Sequence, residues 1–309
     1  MGFKLPDYQV TQLLNPSVSP RLRGETSREF FSYYQALRTH WGPQNWWPAD
    51  SPLEVIVGAY LTQNTNWNNV EKAIANLKQA KALNLKTLRE IPLSRLQKLI
   101  RPSGYFRQKA KKLKTFIRYL DKQYAGSLDR MFAQPTGKLR AELLALNGVG
   151  PETADSILLY AGNHHVFVVD AYTRRVFERH GLITAKTKYA EIREMVEGAF
   201  DVARSSLGTT PVVQEALKAT AKKEDTAGIP ESSSSEQSAR SPRHPVSPRH
   251  PVSKMSATPR TELAQQYNEL HALIVRVGNQ HCRKTAKCEE CPLRTFLPAE
   301  SLEAKIHAQ

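Results

Sequence analysis

The sequence predicts an all-α fold, and three observations carry that expectation. Apolar residues recur at helical spacing from about Arg28 to Ala203, and again from Leu263 to Val277. The breaks between these stripes are short and marked by Pro92, Pro102, Ser103-Gly104 and Asn147-Gly148. No strand-rich region competes, since Val166 to Val169 is a single short β-prone run. Helix pairs joined by tight turns follow from this pattern.

Taken in order, Leu53, Val57, Tyr60 and Leu61 form one stripe, which Thr62-Gln63-Asn64-Thr65 interrupts before Val70, Ile74 and Leu77 resume it. Phe106, Ala110, Leu113, Ile117 and Leu120 form the next, with Arg107, Lys109, Lys111, Lys112, Lys114 and Arg118 on the other faces of the same helix. That basic run reads as a solvated face and also adds to the case for a polyanionic partner. From about 204 to 259 the composition changes: a serine run at 232–235 is followed by Ser-Pro-Arg-His-Pro-Val repeated at 241–246 and 247–252. Too few large apolar residues remain there to offset ordering entropy, so a disordered basic insertion is expected. Helical periodicity returns at Leu263, Tyr267, Leu270, Ile274 and Val277.

Bulk properties narrow the function. Lys and Arg number 44 against 29 Asp and Glu, a formal charge of +15, which points to nucleic acid before an anionic membrane. No apolar run reaches the length of a membrane span, and Met1 to Val10 lacks the apolar core of a signal peptide, so a cytoplasmic, nucleoid-associated protein is expected. The Met-Gly start has Pro6 where a myristoylation signal needs Ser or Thr. All three cysteines, Cys282, Cys288 and Cys291, fall close together, which suits a metal site better than a disulfide framework.

The most informative stretch runs from Leu143 to Val176. Asn147-Gly148-Val149-Gly150 closes one helix, and Pro151 opens the next at the position where its missing N–H costs nothing. Two glycines there allow a tight turn and leave backbone N–H groups at a helix start open to a phosphate. After Val168-Val169 comes Asp170, a carboxylate that is expensive to bury unless it is paired, hydrogen-bonded or functional. It also stands where a helix over Tyr172 to Phe177 needs a cap, and capping is compatible with catalysis.

Leu146 to Ala154, followed by Val168-Val169-Asp170-Ala171-Tyr172 and Arg175-Val176, resembles the helix–hairpin–helix glycosylase superfamily of endonuclease III. The likeness spans most of 45–203 plus 262–298. It implies two helical domains with a cleft between them: 51–163 holding the hairpin, and 26–50 with 164–203 and 260–298 carrying the cysteine loop. An N-terminal extension over 1–25, the insertion over 204–259 and a tail over 299–309 flank them. By the same likeness Asp170 matches the catalytic aspartate, and Gln63 the glutamine that fills the gap left by a flipped nucleotide. Gly148, Val149, Gly150 and Thr153 match the phosphate-binding element, whose backbone carbonyls also offer a site to a monovalent cation. Bifunctional relatives carry a lysine where this chain has Glu152, and a carboxylate cannot form a Schiff base with the sugar. Lys109 and Lys138 do not occupy the matching position. Hydrolysis supported by Asp170, without lyase chemistry, is the expectation.

Trp46-Trp47-Pro48, Leu61 to Thr65 and Arg101 to Tyr105 look closest to the bacterial 3-methyladenine DNA glycosylase branch. By that analogy Trp46, Trp47 and Trp67 form the base pocket, though core packing is the other reading of tryptophans. An aromatic sandwich favours an alkylated, cationic purine by about 0.5–2 kcal/mol. Oxidised pyrimidines are the competing substrates. The loop from Cys282 through Cys288 to Cys291-Pro292 resembles the family's [4Fe-4S] loop, but Leu297 stands near the place of a fourth cysteine and His281 is adjacent to Cys282. Zinc or an empty loop stay open beside the cluster, and an occupied site would brace Arg283, Lys287 and Arg294 for phosphate contacts. The expected partner is double-stranded DNA with a damaged base, met by a monomer. A non-catalytic hairpin module is the alternative from another class.

Overall fold

The computed structural model describes residues 20–44, 46–47, 49–208 and 260–298. It is all-α: among these residues the only β pairing is an isolated bridge between Cys282 and Ala286. Val166 to Val169, the β-prone run, is buried but makes no strand. No described helix is long and apolar enough to cross a membrane. Helix α1 (Pro20–Trp41) begins inside the stretch expected to be an extension. Most of the expected insertion and all of the expected tail lie outside the described residues.

Helix α2 (Pro52–Leu61) is central. Ser51 caps it by accepting the Glu54 N–H at 3.2 Å, Pro52 takes the first position, and every residue from Leu53 to Leu61 is buried. A helix apolar on all sides needs neighbours on all sides. They are α3 (Trp67–Gln79), α6 (Phe106–Tyr124), α9 (Pro151–Ser156) and a π-helical turn, Ile157–Ala161. Short helices α4 (Leu85–Glu90), α5 (Leu93–Leu99), α7 (Leu128–Phe132) and α8 (Thr136–Leu144) complete this group. The second group packs α1 against α11 (Tyr189–Gly208) and α12 (Glu262–Gln280), with α10 (Ala171–Arg179) against α12. The π turn touches both α2 and α12, so it lies where the groups meet.

Lys109 departs from the solvated face expected of the α6 lysines. It is 2% exposed, and its amine donates to the carbonyls of Leu61 at 2.8 Å and Ser103 at 2.6 Å. Burial lowers its pKa to about 8, with Lys112 adding repulsion. The amine thereby ties the end of α2 to the 3-10 turn Arg101–Ser103.

Helices α8 and α9, the two arms of the hairpin, are clamped by one ion pair. Arg140 Nε and Nη2 reach the two oxygens of Asp155 at 2.7 and 3.1 Å, and Asp155 is fully buried. Such a pair adds little against an apolar replacement, but breaking it strands a buried charge. Asp155→Ala is therefore expected to lower unfolding free energy by about 3 kcal/mol in urea titration. An unchanged midpoint would mean the hairpin arms are held without the clamp.

Candidate active site

Asp170 is the N-cap of α10. Its Oδ1 accepts the Thr173 N–H at 2.7 Å, and its Oδ2 lies 3.6 Å from His271 Nε2 of α12. Burial pushes this carboxyl up, but the His271 ring and the N–H and hydroxyl of Thr173 outweigh it, and the net pKa falls below the ordinary carboxylate value. Asp170 is thus held as an anion although its side chain is only 14% exposed. Glu152, in the first turn of α9, is pushed the other way: loss of water and the charge of Asp170 both raise its pKa, against a smaller pull from His271. The two carboxyls therefore feel each other across the junction between hairpin and α10.

The hairpin turn is made by one glycine more than by the other. Gly148 has φ +81°, and a Cβ there would lie 2.1 Å from Lys112 Cε. Gly150 has an extended backbone at φ −94° and ψ 176°, and a Cβ on it would meet nothing within 4 Å. What Gly150 supplies is open access to the backbone at the start of α9, not a special conformation. Val149 is buried beneath the turn.

Gln63 reaches this turn from the α2–α3 loop. Its Nε2 donates to Gly148 O at 3.1 Å and to Thr153 Oγ1 at 2.9 Å, while its Oε1 accepts Lys112 Nζ at 2.7 Å. Thr153 is 8% exposed, so its hydroxyl is turned to Gln63 and away from solvent. Among the hairpin carbonyls offered to a cation by the family resemblance, that of Gly148 takes Gln63 and that of Leu146 takes the Val149 N–H.

Three tryptophans gather as the sequence suggested. Ring centroids are 5.9 Å apart for Trp46–Trp47, 6.2 Å for Trp46–Trp67 and 5.1 Å for Trp47–Trp67. All three are half-buried, and Trp46 Nε1 is a buried donor without a partner. Trp47 packs on Gly58 of α2, where a Cβ would come within 3.4 Å of the indole. Trp41 stands apart, stacked on His281 with ring centroids 6.0 Å apart and with the Arg276 guanidinium 4.5 Å from its ring centroid.

Two residues not singled out from sequence join the tryptophans to Asp170. Tyr160, on the π turn, lies 5.0 Å from Trp47 ring to ring, and its hydroxyl is 2.5 Å from His271 Nδ1. His271 is buried in the apolar stripe of α12. A histidine inside such a stripe is a visible signal, but its pairing across about a hundred residues is not. The lysines that a lyase reading would need are engaged elsewhere, Lys109 as described and Lys138 with Gln134 at 2.8 Å.

The cysteine loop does not assemble the expected ligand set. Cys282 is buried and Cys288 and Cys291 are partly so, all three as free thiols. Among the described residues no three His, Cys, Asp or Glu side chains converge to hold a metal ion. Leu297, near the place of a fourth cysteine in the family pattern, ends the 3-10 turn Arg294–Phe296. With three cysteines and Leu297 at the fourth place, these residues do not fit a four-thiolate cluster. The loop is instead tied to α10 by Arg179, which donates to Cys282 Sγ at 3.4 Å and to the carbonyls of Arg283 at 2.6 Å and Lys284 at 3.1 Å.

Comparison with known proteins agrees with this arrangement. Residues 57–200 match the family described as HhH-GPD superfamily base excision DNA repair protein. A Methanocaldococcus jannaschii protein whose name assigns it as a DNA repair glycosylase is 37% identical over 268 residues, covering 86% of this chain and 94% of its own. Endonuclease III of Thermotoga maritima is 30% identical over 139 residues, 44% of this chain and 60% of its own. The crystal structure of H. pylori 3-methyladenine DNA glycosylase bound to 1,N6-ethenoadenine superposes with a TM-score of 0.55 at 29% identity, covering 81% of this chain and 97% of the other. A trapped endonuclease III–DNA covalent intermediate superposes at TM-score 0.60 and 17% identity, over 90% and 98% of the two chains, and shares the fold. The chain belongs to the HhH-GPD superfamily of base excision DNA repair proteins and is a DNA glycosylase.

The two hairpin glycines should separate on substitution. Gly148→Ala is expected to cost about 1–2 kcal/mol through its left-handed backbone and the displaced Lys112 chain. Gly150→Ala is expected to melt within about 0.5 kcal/mol of the parent, because its backbone is ordinary and its surroundings open. Equal melting of both variants by calorimetry would contradict the turn geometry.

Proposed function

We propose that this glycosylase is monofunctional and hydrolyses the N-glycosidic bond of an alkylated, cationic purine turned out of duplex DNA. One observation carries the proposal: an anionic carboxylate, Asp170, is linked through His271 and Tyr160 to a cluster of three indoles, with Glu152 at the lyase position. An everted base is read by stacking between aromatic faces, and a cationic one gains further from their quadrupoles. The indoles of Trp46, Trp47 and Trp67 supply such faces. The likeness to a 3-methyladenine DNA glycosylase at 29% identity supports the same branch over oxidised pyrimidines.

In the reaction the bond from C1′ to the base nitrogen breaks and its electron pair leaves with the base. A base that is already cationic departs neutral and needs little protonation. Asp170, held anionic, stabilises the cationic sugar and accepts a hydrogen bond from the water that then bonds to C1′. That water's proton passes to Asp170 or to solvent. Glu152 has no amine to offer C1′, so no covalent sugar adduct forms.

Duplex DNA is the proposed partner of a monomeric chain. The open backbone at Gly150 and the start of α9 receive a phosphate, and Gln63, already seated on the hairpin, enters the stack beside the vacated position. The two helical groups described above support reading 51–163 and 26–50 with 164–203 and 260–298 as domains on either side of the DNA.

Asp170→Asn is expected to slow release of free 3-methyladenine from duplex DNA at least about a hundredfold while leaving duplex affinity within a factor of a few. Borohydride treatment of enzyme with an abasic duplex should trap no covalent complex. Trapping, or preferential release of thymine glycol over 3-methyladenine, would overturn the monofunctional alkyl-purine reading.

A further inference from the structure

We propose that His271 is a positioning residue for Asp170, with Tyr160 fixing which nitrogen of its ring faces the carboxylate. The inference rests on the proposed role of Asp170 and deepens it. His271 Nε2 is a buried polar atom without a hydrogen-bond partner, and it faces Asp170 Oδ2 at 3.6 Å. A buried donor left unpaired is costly, and a carboxylate does not tolerate a lone pair pointed at it, so the ring must carry its proton on Nε2. The other nitrogen has a partner suited to the same tautomer. Tyr160 O–H, kept protonated by burial, lies 2.5 Å from Nδ1, and with the ring proton on Nε2 it is the donor in that contact. A neutral ring that accepts at Nδ1 carries N–H at Nε2.

Asp170 is then gripped from two sides, by Thr173 N–H on Oδ1 and by the imidazole on Oδ2. At 3.6 Å the second grip is longer than a hydrogen bond, as catalytic contacts often are before substrate is seated. Closing it costs a small movement of one side chain. The backbone favours this arrangement: the π turn Ile157–Ala161 adds a residue to the helix leaving the hairpin, and Tyr160 sits on that turn between Trp47 and His271. The other charged or titratable groups around the pair are Glu152 on α9, Arg260 ahead of α12, and Tyr189 on α11, which receives the Val169 N–H at 3.3 Å. Glu152 repels Asp170, while Arg260 attracts Tyr160's oxygen, so the imidazole is the group that directly favours the anion from the α12 side.

The test is single-turnover release of 3-methyladenine from methylated duplex DNA as a function of pH, for His271→Leu, His271→Gln and Tyr160→Phe in the full chain. Losing the donor removes one of the interactions that hold the Asp170 pKa down. The rate of His271→Leu should therefore fall about tenfold at neutral pH, and its acid limb should move to higher pH. His271→Gln carries an amide N–H at the place of Nε2 and should recover most of the rate with the parent acid limb. Tyr160→Phe, which keeps the ring but frees the tautomer, should fall between them. Duplex affinity and KM should stay within a factor of two throughout. A slowed His271→Leu whose acid limb does not move, or a His271→Gln no better than leucine while melting like the parent, overturns the inference and leaves His271 as packing. If the leucine variant fails to fold, the glutamine and Tyr160→Phe profiles decide in the same way. Full release by Asp170→Asn would instead remove the reading of Asp170 on which the inference stands.

Discussion

The fate of one carboxylate orders the rest of this structure. Asp170 is placed where a charge is expensive, behind four buried apolar residues at the start of α10. It survives there as an anion because a helix start supplies an N–H and α12 supplies a ring nitrogen. The two donors lie about a hundred residues apart in the chain but in the same helical group, so α10 has to pack on α12 for the carboxylate to be held. The fold is, in this sense, a device for bringing α10 and α12 to the open end of the hairpin.

The hairpin is organised around the same need. Arg140 and Asp155 clamp its arms, Gly148 turns between them, and Gln63 is seated on the turn by Gly148 O, Thr153 and Lys112. The proposed function asks this turn to meet a phosphate and an inserted side chain beside the damaged base. The buried amine of Lys109, drawn to the end of α2, fixes the base of the loop that carries Gln63. In the proposed reaction, rigid positioning of this kind converts binding energy into rate at the sugar.

Much of this was legible in the sequence, and the reasons differ by element. Asp170, Gln63, the hairpin glycines and the three indoles sit in short segments whose chemistry is local, and the family likeness supplied their order. Helical stripes such as Val70, Ile74 and Leu77 read directly because one buried face imposes one period. His271 and Tyr160 were not legible as partners, since their meeting depends on a π turn and on α12 packing from beyond the 204–259 segment. Lys109 misled for a related reason: its place in a basic run hides that two carbonyls lie within reach. The cysteine spacing suggested a cluster, whereas the structure brings no three ligands together among the described residues and braces the loop with Arg179. Spacing constrains where ligands can lie along the chain, not where side chains point.

The claim beneath all of this is that Asp170 presents negative charge to the sugar of an everted nucleotide. The most direct measurement is the affinity for two duplexes, one carrying a pyrrolidine whose protonated nitrogen mimics the cationic sugar, the other a neutral tetrahydrofuran. The account predicts that the parent chain prefers the pyrrolidine duplex by roughly a hundredfold, as expected of a transition-state mimic, and that Asp170→Asn binds both alike. Equal affinities in the parent, or a preference that survives in Asp170→Asn, would contradict it.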